Sequence, residues 1–165
     1  MRLLRCSAAL LLLFCAACAD EASDDARTAS PDTTEATIPF RQDGALTFLR
    51  DGEPLVDVAI EIAETDSARQ RGLMQRGPLP EKSAMLFVFD EEETQSFWMA
   101  NTPVALDILF VSADSEIVDI AKYVQPLSPK NVTSSDPALY VIEVPAGFTD
   151  SYGLSETDRV RWTRD

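Results

Sequence analysis

The sequence contains no histidine, and its three cysteines, Cys6, Cys15 and Cys18, all fall within the first eighteen residues. Without imidazole the chain lacks the commonest general base and the commonest metal ligand. Beyond residue 18 it also lacks a thiol, so the remainder can form no disulfide, thiolate nucleophile or cysteine-based zinc site. Serine, cysteine and zinc hydrolases of the usual kinds are disfavoured by this inventory. Positive charge is scarce too: 14 Lys and Arg stand against 28 Asp and Glu, a formal net charge of −14. Such a surface repels phosphate backbones, which disfavours nucleic acid as a partner.

What is present begins with an export signal. Arg2 and Arg5 form a basic head, and Ala8 to Phe14 form an apolar run too short to cross a bilayer as a permanent helix. The run ends in Cys15-Ala-Ala-Cys18, which resembles the lipobox at which bacterial lipoproteins are cut and acylated, although Cys15 stands where leucine is usual. Residues 1–18 are thus expected to be a lipoprotein signal peptide, with Cys18 the lipidated N-terminus and the membrane reached through its acyl chains. Ala19 in place of an aspartate favours, by the same resemblance, an outer-membrane location facing the periplasm. Secretion after an Ala-x-Ala-like site is the alternative. Because Arg2 and Arg5 would leave with the signal, the mature chain would be more acidic still.

Residues 19–37 are rich in Asp, Glu, Ser, Thr and Ala and have no large apolar side chain before Ile38. They read as a disordered acidic tether, spanning roughly 20–30 Å as a random coil. From residue 38 to 165 the composition is that of one globular domain with a substantial core.

Within that domain the hydrophobic period is two, as a half-buried sheet requires. Val56, Val58, Ile60 and Ile62 alternate with Asp57, Ala59, Glu61 and Ala63. Leu46 to Arg50 is a shorter strand joined to it through Asp51-Gly52, a pair suited to positive φ in a tight hairpin. Further strands are expected over 85–89, 96–100, 106–111, 116–123, 139–144 and 159–162, with Asp114-Ser115 turning a hairpin. One short helix is expected over Thr65 to Met74, capped by Thr65 or Asp66 and ended near Gly72. A further helical turn is suggested over Phe148 to Tyr152. Eight short strands with one helix predict a mainly β fold, a β-sandwich or a partly closed barrel.

Several blocks carry a family resemblance: Arg69-x-Arg-Gly-Leu-Met74, Met85-Leu-Phe-Val-Phe89, Phe97-Trp-Met-x-Asn-Thr102, Leu106-Asp-Ile-x-Phe110, Tyr140-Val-Ile-Glu-Val-Pro-Ala-Gly147 and Asp158-Arg-Val160. Over residues 56–160 the chain resembles the family called domain of unknown function 192. Ala84 and Thr157 stand where that family usually has glycine. The resemblance implies a jelly-roll-like β-sandwich, and it supplies no agreed substrate or catalytic residues.

Three chemistries are open to such a domain. The first is a groove in which Trp98 stacks on a small polar, sugar-like ligand while Arg76, Asn101, Thr102 and Asp107 bond its polar groups, with an envelope protein as the other partner of this surface. The second is Cu(I) held by the thioethers of Met74, Met85 and Met99, which suit a soft ion where thiolate and imidazole are missing; core packing is the competing role of these side chains. The third is glycoside hydrolysis by a carboxylate pair, Asp107 and Glu143. Asp107 interrupts an apolar strand, and Arg71 or Arg76 is its expected partner. Binding without catalysis is the reading favoured.

Overall fold

The computed structural model describes residues 38–165, so the signal, Cys18 and tether readings lie outside the described residues. The described part begins with a hairpin of β1 (Gly44–Arg50) and β2 (Glu53–Ala63), turned by Asp51 and Gly52, both at positive φ. Leu46 and Phe48 stand opposite Val58 and Val56, so the alternation seen in the sequence becomes one apolar face. A six-residue helix α1 (Asp66–Arg71) follows, shorter than the expected span. Thr65 caps it by accepting the Ala68 amide. Gly72 ends it at φ 47°, and a Cβ there would meet the Phe87 ring at 3.3 Å, so glycine meets both a backbone and a packing requirement.

The chain continues through β3 (Ser83–Glu93), β4 (Ser96–Trp98), β5 (Leu106–Val111), β6 (Ile117–Val124), β7 (Asn131–Thr133), β8 (Ala138–Pro145), a one-turn helix α2 (Phe148–Ser151) and β9 (Arg159–Arg164). Seven strands form one sheet in the order β6-β5-β8-β3-β2-β1-β9. All neighbours are antiparallel except β2 and β3, which the α1 crossover makes parallel. At the far ends of the order Glu116 bridges to Arg159, and the Val160 amide donates to Ser115 O. The sheet therefore curls into a half-barrel, the partly closed form of the expected mainly β fold. The helical turn suggested over Phe148 to Tyr152 is formed as α2, a second helix beside the one counted in the fold, and a ninth strand, β7, pairs with β4 apart from the main sheet.

Curling gives the sheet two unlike faces. Leu46, Ile60, Leu86, Leu109, Ile117, Ile142 and Val160, one from each of the seven strands, belong to one cluster, which fills the concave side. Phe148 of α2 joins it, with its ring 5.9 Å from that of Phe48. The opposite face carries Met85 and Phe87 of β3, Ile108 and Phe110 of β5 and Val141 of β8. This second cluster is covered by the segment around α1 and by the β4–β7 ribbon, and the candidate site lies between those covers.

Candidate functional site

Antiparallel partners point to the same side of a sheet, so the register decides which side chains meet. Glu143 of β8 stands opposite Met85 of β3 and Ile108 of β5, and Met85 stands beside Glu61 of β2. Two glutamates are thereby placed in one row on the convex face, on either side of a methionine. Their surroundings separate them. Glu61 receives both Nη atoms of Arg76 at 2.9 Å and the Arg41 amide at 3.2 Å. Glu143 is 6% exposed, and its Oε2 has no hydrogen-bond partner. Burial pushes its carboxyl up to about 8.

Glu143 forms part of the lining of a cleft of about 580 Å³. The other walls come from the end of α1 (Arg69 to Met74), from Phe87 and Phe89 of β3, from Gln95 to Trp98, and from Asn101 and Thr102. Aromatic rings dominate: Phe97 meets Phe87 edge-on at 5.0 Å and Phe89 at 6.3 Å. Trp98, next along β4, is 55% exposed at the cleft. The Asn101–Thr102 corner is held firmly. Asn101 adopts φ 61°, its carbonyl accepts the Gln75 amide at 2.7 Å, and Thr102 O accepts the Leu127 amide at 3.0 Å. Arg69 lies over the Phe89 ring and is tied to Asp66, Asp90 and two backbone carbonyls. Arg71, also on the lining, makes no ion pair among the described residues.

Of the five residues expected to bind ligand, the cleft brings together Trp98, Asn101 and Thr102. Arg76 and Asp107 are elsewhere, and their expected pairing is corrected. Arg76 is 4% exposed and spends its guanidinium on Glu61 and Pro39 O, facing a separate, smaller cavity. Asp107 is fully buried, opposite Val144 rather than Glu143, and so on the other face of the sheet. It accepts from the Tyr123, Gly147 and Thr149 amides and from Thr149 Oγ1, all at 2.7 to 3.1 Å. Neither Arg71 nor Arg76 is among its partners, because four donors from the β6 end and the α2 entry already satisfy the carboxylate. The expected Asp107–Glu143 pair of a glycosidase is corrected by the same fact, since carboxyls on opposite faces cannot flank one bond.

The methionines occupy two settings. Met74 lines the cleft, whereas Met85 and Met99 are 3% and 1% exposed within the second cluster. Their burial among phenylalanine and leucine side chains is the packing role of flexible apolar groups. Glu143, expected from the sequence only as half of a carboxylate pair, is the acid that lies on the cleft. Its signal was an acid in an apolar strand, the same signal Asp107 gave.

The DUF192 family profile, described as an uncharacterised ACR, matches residues 47–162. The chain belongs to the DUF192 family. Two solved structures are similar to it. One, from Sinorhizobium meliloti 1021 and described as a candidate transcription regulator, is 31% identical with a TM-score of 0.70, covering 75% of this chain and 98% of that one. The other, a protein of unknown function from Novosphingobium aromaticivorans DSM 12444, is 29% identical with a TM-score of 0.68, over 72% and 84% of the two chains. No curated protein matches this DUF192 chain.

Proposed function

We propose that this DUF192 domain binds a small polar ligand in the cleft between Trp98 and Glu143, without catalytic chemistry of its own. One observation carries the reading: a half-exposed tryptophan and a buried acid with an unpaired oxygen line the same cleft. An exposed ring offers a flat stacking surface, and a carboxyl on the cleft wall that no protein donor bonds is open to a donor from outside. Asn101 and Ser96 add neutral polar groups to the lining, which suits a sugar-like compound. The export signal and Cys18 support a place at the periplasmic side of the envelope, where such compounds are abundant.

A protein partner is the second reading. Leu127 is 63% exposed, and its amide is bonded to Thr102 O, so an apolar side chain sits close to the corner that bears Asn101. The regulator description of one relative is not carried over as nucleic-acid binding, because a net charge of −14 opposes it.

Ligand-observed NMR with a panel of peptidoglycan fragments and simple glycans tests the first reading. Binding by the wild-type chain that is lost in Trp98→Ala supports it. Binding that survives Trp98→Ala unchanged would place the ligand elsewhere and sink it.

A further inference from the structure

Three charged side chains line the cleft, and they differ in what they already hold. Arg69 is neutralised by Asp66 and Asp90. Arg71 is exposed at the mouth, where water and salt screen it. Glu143 is at the buried end. The elements packed around it bring no donor to Oε2: β3 presents Met85 and Phe87, β5 presents Ile108, and β4 presents Phe97. Glu61 lies one strand further along the row and is held by Arg76, so neither member of that pair is available.

We propose that the ligand's buried group is a protonated amine, which donates to the Glu143 carboxyl, bonded by no protein group, with the rings of Phe87 and Phe97 beside its charge. This rests on the cleft being a ligand site and names the chemistry that the site selects. An ammonium supplies up to three N–H donors to a carboxylate that can only accept. Aromatic faces attract cations and not anions. The acidic chain raises the local concentration of cations and lowers that of anions. A ligand carboxylate in the same position would face the acid directly.

The proton balance is simple. Burial raises the Glu143 carboxyl to about 8, so at neutral pH the free domain holds a proton there. When the ammonium enters, that proton leaves to solvent and a carboxylate–ammonium pair remains. Affinity for the cation therefore rises with pH until the carboxyl is ionised in the free domain as well.

The test uses the full chain and three probes with one aromatic body and different heads: 2-phenylethylammonium, 2-phenylethanol and 3-phenylpropionate. The ammonium is expected to bind about tenfold or more tightly than the alcohol, with the propionate weakest. Its affinity should rise by up to about tenfold per unit from roughly pH 6 and flatten above about pH 8. Calorimetry in two buffers of unlike ionisation heat should show close to one proton released per ammonium bound at neutral pH. Glu143→Gln should bring the ammonium down to the affinity of the alcohol and remove both the pH slope and the proton release. Should that variant fold poorly, the slope and proton release of the wild-type chain still decide the matter. Equal affinity for all three probes, or preference for the propionate, would overturn the amine while leaving the cleft as a binding site. Failure of every probe to bind would overturn the amine, and the glycan panel with Trp98→Ala decides separately whether the cleft is a ligand site.

Discussion

Asp107 and Glu143 occupy neighbouring strands one register step apart, at 0% and 6% exposure, yet one is fully bonded and the other is not. The difference comes from the face each occupies. Asp107 looks toward the turn into α2, where Gly147 and Thr149 offer amides and a hydroxyl, and it ties β5, β6 and α2 together. Glu143 looks toward a cleft walled by phenylalanines, where the protein offers nothing to its Oε2. Burial of an acid is therefore not what marks a site in this fold. What marks it is burial with the hydrogen-bonding capacity unspent, and Glu61, buried in the same row as Glu143 but clamped by Arg76, falls on the structural side.

Removing the partner of a spent acid should produce the largest effect. Arg76→Ala leaves buried Glu61 with only the Arg41 amide and the more distant, exposed Arg41 guanidinium, and a loss of about 3 kcal/mol in unfolding free energy is expected, measured by urea denaturation at neutral pH. A loss under about 1 kcal/mol would mean the pair is effectively solvated, and the contrast between Glu61 and Glu143 would lose its basis. The unspent acid should behave the opposite way. Its carboxyl titrates near 8 in the fold against 4.5 for the free group. Between those values the folded state keeps a proton that the unfolded state has released, so stability falls as pH rises through that window. Glu143→Gln removes this titration. Relative to the variant, the wild-type chain should lose about 1.4 kcal/mol per pH unit, or about 3 kcal/mol between pH 5 and 7. Parallel stability curves for the two chains would show that Glu143 is not held protonated by its surroundings.

Much of the half-barrel was legible because period-two alternation reports directly on a half-buried strand, as in Val56 to Ile62. The Asp51-Gly52 and Asp114-Ser115 turns were legible through residues that tolerate positive φ. Three-residue β7 was not, because Asn131-Val-Thr133 is too short for any period and is a strand only by pairing with β4. The cleft was half legible. Trp98, Asn101 and Thr102 are adjacent in sequence and share one corner in space. Asp107 of the expected groove was misplaced for a physical reason. An acid in an apolar strand announces that it needs partners, but which face it takes, and which donors wait there, depends on contacts forty residues away, such as Asp107 with Gly147 and Thr149.

Two smaller effects sharpen the contrast. Asp107→Asn keeps the shape but offers an amide N–H₂ where a carboxylate oxygen now accepts backbone donors, so a loss of about 1–3 kcal/mol is expected. Hydrogen exchange should localise the loosening to the Tyr123, Gly147 and Thr149 amides and leave the β4–β7 ribbon unchanged. Equal loosening across the cleft would mean that the two faces of the sheet are coupled and not independent.

The smallest stability change should come from the residue on which binding depends most. Trp98 is 55% exposed, takes no part in either buried cluster, and faces away from the Phe97 side that packs on Phe87 and Phe110. Truncating it removes ring surface that is already largely in water, so Trp98→Ala should alter the unfolding free energy by no more than about 0.5 kcal/mol. A side chain that stabilises the fold so little has its justification in what approaches it from outside. If thermal denaturation shows instead a loss of about 2 kcal/mol or more, the ring is a structural lid over Phe97, and the cleft loses the surface on which a ligand would stack.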